Sequence, residues 1–311
     1  MLMSPYLLLV AGIICAAIGG ELFVRGVVGV ARWARVSAGI IGATFAAFAT
    51  SSPELSVSVT SGLAGTPQIA LGDALGSNVV NLALILGLAL LISPIHASRD
   101  SLRRDFPVAL LVPLLLGVLA YDGMLSRVDG FMLLALFVAW LAAVVLEVRR
   151  QRSAAGQVLG EVRHGLALLS CLGGLVFLVA SGKLIVVGAK GIALVYGIDE
   201  FVIGATLVAI GTSAPELATV IVAKLRGHDE VGLGTLLGSN IFNGLFIIAV
   251  AAVIHPIVLG LAEVAIGLVL GLLATAVTFP GKNGLLGRGR GWVLLALYAA
   301  YLGLILRGGA V

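Results

Sequence analysis

Two acidic residues, Glu54 and Glu216, stand deep inside long apolar stretches, each closing a run of small and hydroxyl-bearing residues: Thr50-Ser51-Ser52-Pro53-Glu54 and Thr212-Ser213-Ala214-Pro215-Glu216. An acid at the centre of a membrane span costs about 2.5–3.5 kcal/mol on insertion scales. No Lys or Arg lies at comparable depth in the same stretches, so a bound cation is the direct source of the missing positive charge. Pro53 and Pro215 have no N–H and disturb a helix one turn earlier, which frees carbonyls near Ala47–Ala49 and Ala209–Gly211. Irregular backbone at membrane depth is tolerated only where it is buried in protein or lines a cavity. In the next apolar stretch of each region, Ser77 and Asn81, and likewise Ser239 and Asn243, are spaced to share one helix face. Gly72 and Gly76, like Gly234 and Gly238, form small-xxx-small faces that permit close helix approach.

The candidate ligands are all oxygen: carboxylates, hydroxyls, amides and carbonyls. Calcium takes six to eight such oxygens, whereas zinc or copper would want His and Cys. Two glutamates match the charge of one calcium ion. Sodium, similar in size and singly charged, could occupy several of the same oxygen sites, which is a physical basis for mutual exclusion and hence exchange.

The elements that hold these residues follow from composition. The chain has 311 residues, 60% hydrophobic and 11% charged, with a mean hydropathy of +1.17; soluble domains carry about 25% charged residues. This excludes a soluble enzyme and leaves no room for a large extramembrane domain. Apolar segments fall at 5–24, 38–62, 69–92, 106–121, 129–147, 165–190, 201–223, 231–254, 257–279 and 292–306. They predict an all-α integral membrane protein of ten transmembrane helices. The first segment lacks a basic flank and reads as an uncleaved helix. With the N-terminus outside, the inward loops hold fifteen of the 19 Lys and Arg residues, leaving Arg127, Lys183, Lys190 and Arg307 outward. That bias predicts a multi-pass protein of the cell (inner) membrane with both termini extracytoplasmic. The basic residues lie in short clusters between apolar runs, so the net charge of +4 is no sign of nucleic-acid binding. The lipid bilayer is the expected surrounding, and no obligatory protein partner is evident.

Cys15 and Cys171 both lie in apolar runs and are read as free. Glu21, Glu147 and Glu263 are expected near span ends, Asp199 and Glu200 in an outward loop, and Trp33, Trp140 and Trp292 as interfacial anchors.

Against itself the sequence shows one dominant offset, 162 residues, at which 42–81 aligns with 204–243 without a gap and with 18 identities in 40 positions. GATFAAFATSSPEL meets GATLVAIGTSAPEL, and LGDALGSNVVN meets LGTLLGSNIFN. Five helices per half is an odd number, so the halves enter the membrane in opposite senses. The expected organisation is a first five-helix repeat over 1–150, a short basic cytoplasmic connector over 151–164, and a second, inverted repeat over 165–311. Inverted repeats with matching broken helices are the sequence signature of secondary transporters. A channel would instead set identical subunits around an axis. No nucleotide-binding loop or intramembrane Ser–His pair supports an enzyme. One position breaks the internal match: Asp73 aligns with Thr235, as either a cation-attracting entrance or a capping side chain.

These paired motifs, at this spacing and in both halves, resemble the sodium/calcium exchanger branch of the cation/calcium antiporter superfamily, in its compact prokaryotic form because no long central loop is present. The resemblance implies sodium/calcium antiport by alternating access with calcium exported; the alternative is calcium/proton antiport, whose branch places histidine beside the acidic motif. It implies transported calcium and sodium and no cofactor. Helices 2, 3, 7 and 8 would surround the sites, with helices 1 and 6 sliding across them. Glu54, Glu216, Thr50 and Thr212 would hold calcium. Ser51, Ser77 and the Ala47 carbonyl would form a sodium site with Glu216, mirrored by Ser213, Ser239 and the Ala209 carbonyl with Glu54. Asn81 and Asn243 would line the middle. Three sodium ions, a stoichiometry taken from the resemblance, would leave a core with two glutamates one positive charge. Some relatives carry Asp where this chain has Asn243, which favours potassium-independent exchange here.

Overall fold

The structure, a computed structural model, describes residues 4–34, 37–63, 65, 67–98, 101–154, 164–195, 209–259, 261–281 and 283–308. Asp199, Glu200, the residues 204–208 of the second motif and the connector residues 155–163 lie outside the described residues.

The apolar stretches fold as helices, as their composition requires in a solvent that offers the backbone no hydrogen bonds. Helix α1 spans Pro5–Ala34. Helix α2 joins Ala38–Ile41, a π-helical turn Gly42–Ala46, and Ala47–Thr50. Helix α3 covers Ser52–Leu63, and α4 runs from Pro67–Val79 through π-helical Val80–Leu86 to Gly87–Ile92. After strand β1 (Ile95–His96), α5 comprises Ser101–Asp105 and Phe106–Leu119. Strand β2 (Met124–Leu125) leads into α6 (Arg127–Ala154), followed by α7 (His164–Val195). Then come α8 (Ala209–Thr212), α9 (Ala214–Leu225) and α10, built from Asp229–Phe242, π-helical Asn243–Ile247 and Ile248–Ile254. Strand β3 (Ile257–Val258), α11 (Leu261–Thr278), β4 (Leu285–Leu286) and α12 (Arg288–Gly308) complete the described chain.

Four described helical segments are long and apolar enough to cross a membrane: Pro5–Trp33, Ala70–Ile92, Arg127–Arg149 and Asp229–Ile254. Ala38–Thr50, Gly165–Ser181 and Val264–Thr278 are shorter apolar helices. Several helices overrun the segments expected from hydropathy. Arg25 and Arg32, expected in a loop, lie on α1, where Arg25 pairs with Glu21 one turn earlier at 2.5 Å. Likewise α6 continues to Ala154, carrying Arg149, Arg150 and Arg152 on helix. Charged side chains at i,i+4 support a helix beyond its apolar part. Trp33 and Trp292 are exposed, but Trp140 is only 6% exposed and packs beside Phe137. It is a core residue rather than an interfacial anchor, because its face of α6 turns inward.

The main core gathers around α4 and α10, with α5, α11 and α12 packed outside them. A smaller core joins α1 to α7 through Phe23, Val27, Cys171 and Leu178. Glycine sets the closest approaches. A Cβ on Gly26 would lie 2.5 Å from the Cys171 backbone nitrogen, and one on Gly174 2.5 Å from that of Phe23, so α1 and α7 touch backbone to backbone. A Cβ on Gly238 of α10 would run into the Ala43 carbonyl of α2. Gly65 and Gly227, 162 residues apart, each take a positive φ (77° and 71°) in the turns after α3 and α9, a conformation glycine adopts without penalty.

Two short antiparallel pairings clasp the two halves of the sequence: Ile95 opposite Leu286 in β1–β4, and Leu125 opposite Ile257 in β2–β3. Lys224, buried, donates to both Asp229 carboxylate oxygens at 3.0 Å and to the Pro94 carbonyl at 2.8 Å, tying the α9–α10 turn to β1.

Where α4 crosses α10, Asn78 and Asn240 exchange bonds. The Asn240 amide donates to the Asn78 carbonyl at 3.1 Å, and the Asn78 amide donates to the Asn240 carbonyl at 3.4 Å. Replacing Asn240 with Leu removes both a donor and the side-chain oxygen that accepts from Asn81, and unmatched buried polar groups cost about 1–3 kcal/mol each. Asn240→Leu is therefore expected to lower the melting temperature in detergent, read by thermal unfolding. Gly238→Val is expected to destabilise by about 1–3 kcal/mol or more through overpacking, read in the same thermal unfolding assay.

Candidate ion-binding site

Both proline-containing motifs break their helices in the same way. Helix α2 stops at Thr50 and α3 starts at Ser52, with Ser51 between them at φ −82°, ψ 11°. Helix α8 stops at Thr212 and α9 starts at Ala214, with Ser213 at φ −82°, ψ 6°. Pro53 and Pro215 thus sit in the first turn of a new helix, where no donor is needed. Glu54 and Glu216 fall in that same turn, at the positive end of the helix dipole. The expected opening of the Ala47 and Ala209 carbonyls takes a milder form: Ala47 O still accepts from Ser51 N at 3.0 Å, and Ala209 O from Ser213 N at 3.1 Å. Each carbonyl is also approached by a threonine hydroxyl, Ala47 O by Thr50 Oγ1 at 3.4 Å and Ala209 O by Thr212 Oγ1 at 3.1 Å.

The predicted ligands, Glu54, Glu216, Thr50, Thr212, Ser51, Ser213, Ser77, Ser239, Ala47, Ala209, Asn81 and Asn243, are all buried, none more than 5% exposed. Glu216 Oε1 accepts from Ser51 Oγ and Ser239 Oγ, both at 3.2 Å, bringing α9, the α2–α3 break and α10 to one point. The resemblance grouped Ser239 with Glu54; here its hydroxyl goes to Glu216. Thr50 lies beside Glu216, and Thr212 beside Glu54. The Thr50 hydroxyl donates to Ala46 O at 3.0 Å.

The asparagines are oriented by their neighbours. Asn81 Nδ2 donates to Asn240 Oδ1, and Asn243 Nδ2 donates to Asn78 Oδ1, each at 3.0 Å. Their own Oδ1 atoms are buried and unpartnered. Asn78 and Asn240 were not anticipated as functional, although both halves carry the Ser-Asn pair; periodicity alone could not show that they hold the next asparagine's amide. A third carboxylate also joins the site. Asp73 Oδ1 accepts from Thr212 Oγ1 at 3.2 Å, and its Oδ2 is buried without a partner.

Both oxygens of Glu54, Oε2 of Glu216, the hydroxyls of Ser77 and Ser213, and the amide oxygens of Asn81 and Asn243 are buried with no hydrogen-bond partner. Native interiors leave very few such groups, and a cluster rich in acceptors asks for a positive partner. Among the described residues no Lys or Arg is paired with Glu54, Glu216 or Asp73. Among them, too, no three His, Cys, Asp or Glu side chains gather as a metal cage, so the oxygens available come from mixed groups. That donor chemistry fits a weakly held hard cation that must also leave.

The comparisons with known proteins agree with this chemistry. The family model described as sodium/calcium exchanger protein matches residues 4–146 and 166–307, once on each half. The chain is 34% identical to the putative antiporter CaxA of Alkalimonas amylolytica, over 97% of this chain and 98% of that protein. It is 28% identical to the sodium/calcium exchanger MaX1 of Methanosarcina acetivorans, over 97% of this chain and 98% of that one. Among solved structures, the sodium-calcium exchanger NCX_Mj soaked with sodium and strontium superposes with a TM-score of 0.83 at 32% identity, covering 97% of this chain and 99% of that one. A mostly helical membrane architecture, a buried oxygen site and a family match on both halves converge: the chain belongs to the sodium/calcium exchanger protein family.

Proposed function

We propose that this protein is a secondary active antiporter that exchanges sodium for calcium by alternating access and exports calcium. The observation that carries the reading is the cluster of buried, unpartnered oxygens around Glu54 and Glu216 with no cationic side chain paired to either carboxylate among the described residues. A desolvated calcium ion would replace its water by these oxygens, and sodium would compete for the same Glu216, Ser51 and Ser239 atoms. Because both cation types rely on shared carboxylates, one is expelled as the other loads.

The same reading places ten helices in two inverted five-helix repeats, with both termini outside the inner membrane. The 162-residue sequence offset, the matching breaks at Ser51 and Ser213, and the family match to each half support it. Helices α1 and α7 pack on each other along their length and touch the core chiefly through α9 and α2. That arrangement supports their moving together across the site to expose it to one side and then the other.

The test is radioactive calcium uptake into sodium-loaded proteoliposomes diluted into sodium-free buffer, with and without a pH gradient. Uptake driven by the outward sodium gradient is expected; uptake that follows protons and ignores sodium would replace the reading with calcium/proton antiport. Glu54→Gln and Glu216→Gln are each expected to bring flux to background while the protein remains monodisperse, and near-normal flux in either would remove that residue from the site. Ser239→Ala removes a hydroxyl oxygen of the proposed sodium site. The external sodium concentration that half-inhibits calcium uptake is expected to rise, read from uptake at graded sodium.

A further inference from the structure

We propose that Arg226 and Glu21 form a latch that holds the cytoplasmic end of α9 to α1, and that must part before the ion site can open to the cytoplasm. The inference deepens the antiport reading and rests on its alternating-access step. The bond is two-pronged. Arg226 Nη2 donates to Glu21 Oε1 at 2.6 Å, and Arg226 Nε donates to Glu21 Oε2 at 3.1 Å. A guanidinium fork on a carboxylate fixes direction as well as distance. Arg25, one turn further along α1, closes on the same Oε1 at 2.5 Å and steadies the carboxylate from its own helix.

The two ends of this bond belong to different parts of the fold. Arg226 caps α9: its N–H donates to Val222 O at 3.0 Å, and His228 N follows onto Ala223 O at 2.8 Å. Two residues earlier, Lys224 is fastened to Asp229 and to the Pro94 carbonyl, so the turn that carries Arg226 is fixed to β1. Glu21 rides on α1, which packs along α7. Beside it, a Cβ on Gly20 would lie 3.0 Å from Ala218 O and 3.1 Å from Val222 Cγ2 of α9. The seam is smooth at Gly20 and pinned at the neighbouring Glu21. A sliding surface needs the first, and a defined stopping place needs the second. Arg25 and Arg226 both belong to the basic set that the positive-inside count turns toward the cytoplasm. At the 162-residue offset Glu21 meets Lys183 and Arg226 meets Ala64, so the sequence does not repeat this pair of opposite charges on the other side. The bias therefore favours the state with the cytoplasmic side shut. The side chains of Arg226 and Glu21 are 53% and 28% exposed. A surface pair of this kind shifts an equilibrium by about two- to fivefold, enough to set a resting state and weak enough to break in every cycle.

The discriminating measurement is the half-saturating calcium concentration for sodium-driven flux, taken separately at each face in inside-out and right-side-out membrane vesicles. A ligand's apparent affinity falls with the fraction of protein that can receive it. Glu21→Gln and Arg226→Gln should each raise the cytoplasm-open fraction, so half-saturation at the cytoplasmic face is expected to fall about two- to fivefold. At the outer face it should stay or rise. The double variant should match the single ones, because each already removes the same bond. A second measurement tethers the two positions. Glu21→Cys with Arg226→Cys, in a chain carrying Cys15→Ala and Cys171→Ala, is joined by a bis-methanethiosulfonate linker matched to the length of the pair. Tethering should stop calcium flux, and reduction should restore it.

Unchanged half-saturation at the cytoplasmic face, a fall at both faces, or additive effects in the double variant would overturn the latch while leaving antiport intact. Undiminished flux through the tethered protein would do the same. A wild type without sodium-driven calcium flux in either vesicle would defeat the antiport reading and this inference with it. Should the glutamine variants fail to fold, the tethered pair decides alone.

Discussion

The structure depends on one electrostatic constraint: carboxylates held away from water with no Lys or Arg paired to them among the described residues. A single such group at the centre of a bilayer is costly, and here both Glu54 and Glu216 are buried. The fold lessens the cost without removing it. Each glutamate sits in the first turn of a helix, where the dipole favours negative charge, and Glu216 accepts two hydroxyl bonds. What remains unpaired is, on the proposed reading, what an arriving cation would satisfy.

The second requirement is that the oxygens keep their positions as cargo changes. Tight helix crossings and the asparagine exchange meet it. Asn78 and Asn240 bind each other's backbone and hold the amides of Asn243 and Asn81, so those amides present oxygen rather than nitrogen toward their unpartnered side. The π-helical turns beginning at Val80 and Asn243 lie beside these side chains. Such turns recur at functional sites because the extra residue re-aims what precedes it.

Much of this was legible in the sequence because the chemistry is local and duplicated. The acids, their prolines and the following Ser–Asn helix face are each encoded within a few residues, and the second copy separates them from accidental polar residues in an apolar stretch. Tertiary relations were less legible. Nothing in the spacing of Ser239 shows that it reaches Glu216, and Asp73 could be read as an entrance or a cap until Thr212 was found against it. Hydropathy misplaced the ends of α1 and α6, since charged residues such as Arg25 continue a helix when paired along its surface. It also misread Trp140, whose burial depends on which face of α6 meets the core.

The seam between α1 and α7 has a mechanical corollary. Gly26 and Gly174 let the two backbones lie flush, between the packed side chains of Phe23, Val27 and Leu178. One helix comes from each half of the chain, so on the proposed alternating-access reading a displacement of either helix would carry the other with it. The pair would then act as a shared lever, its closeness set by residues that have no side chain beyond hydrogen.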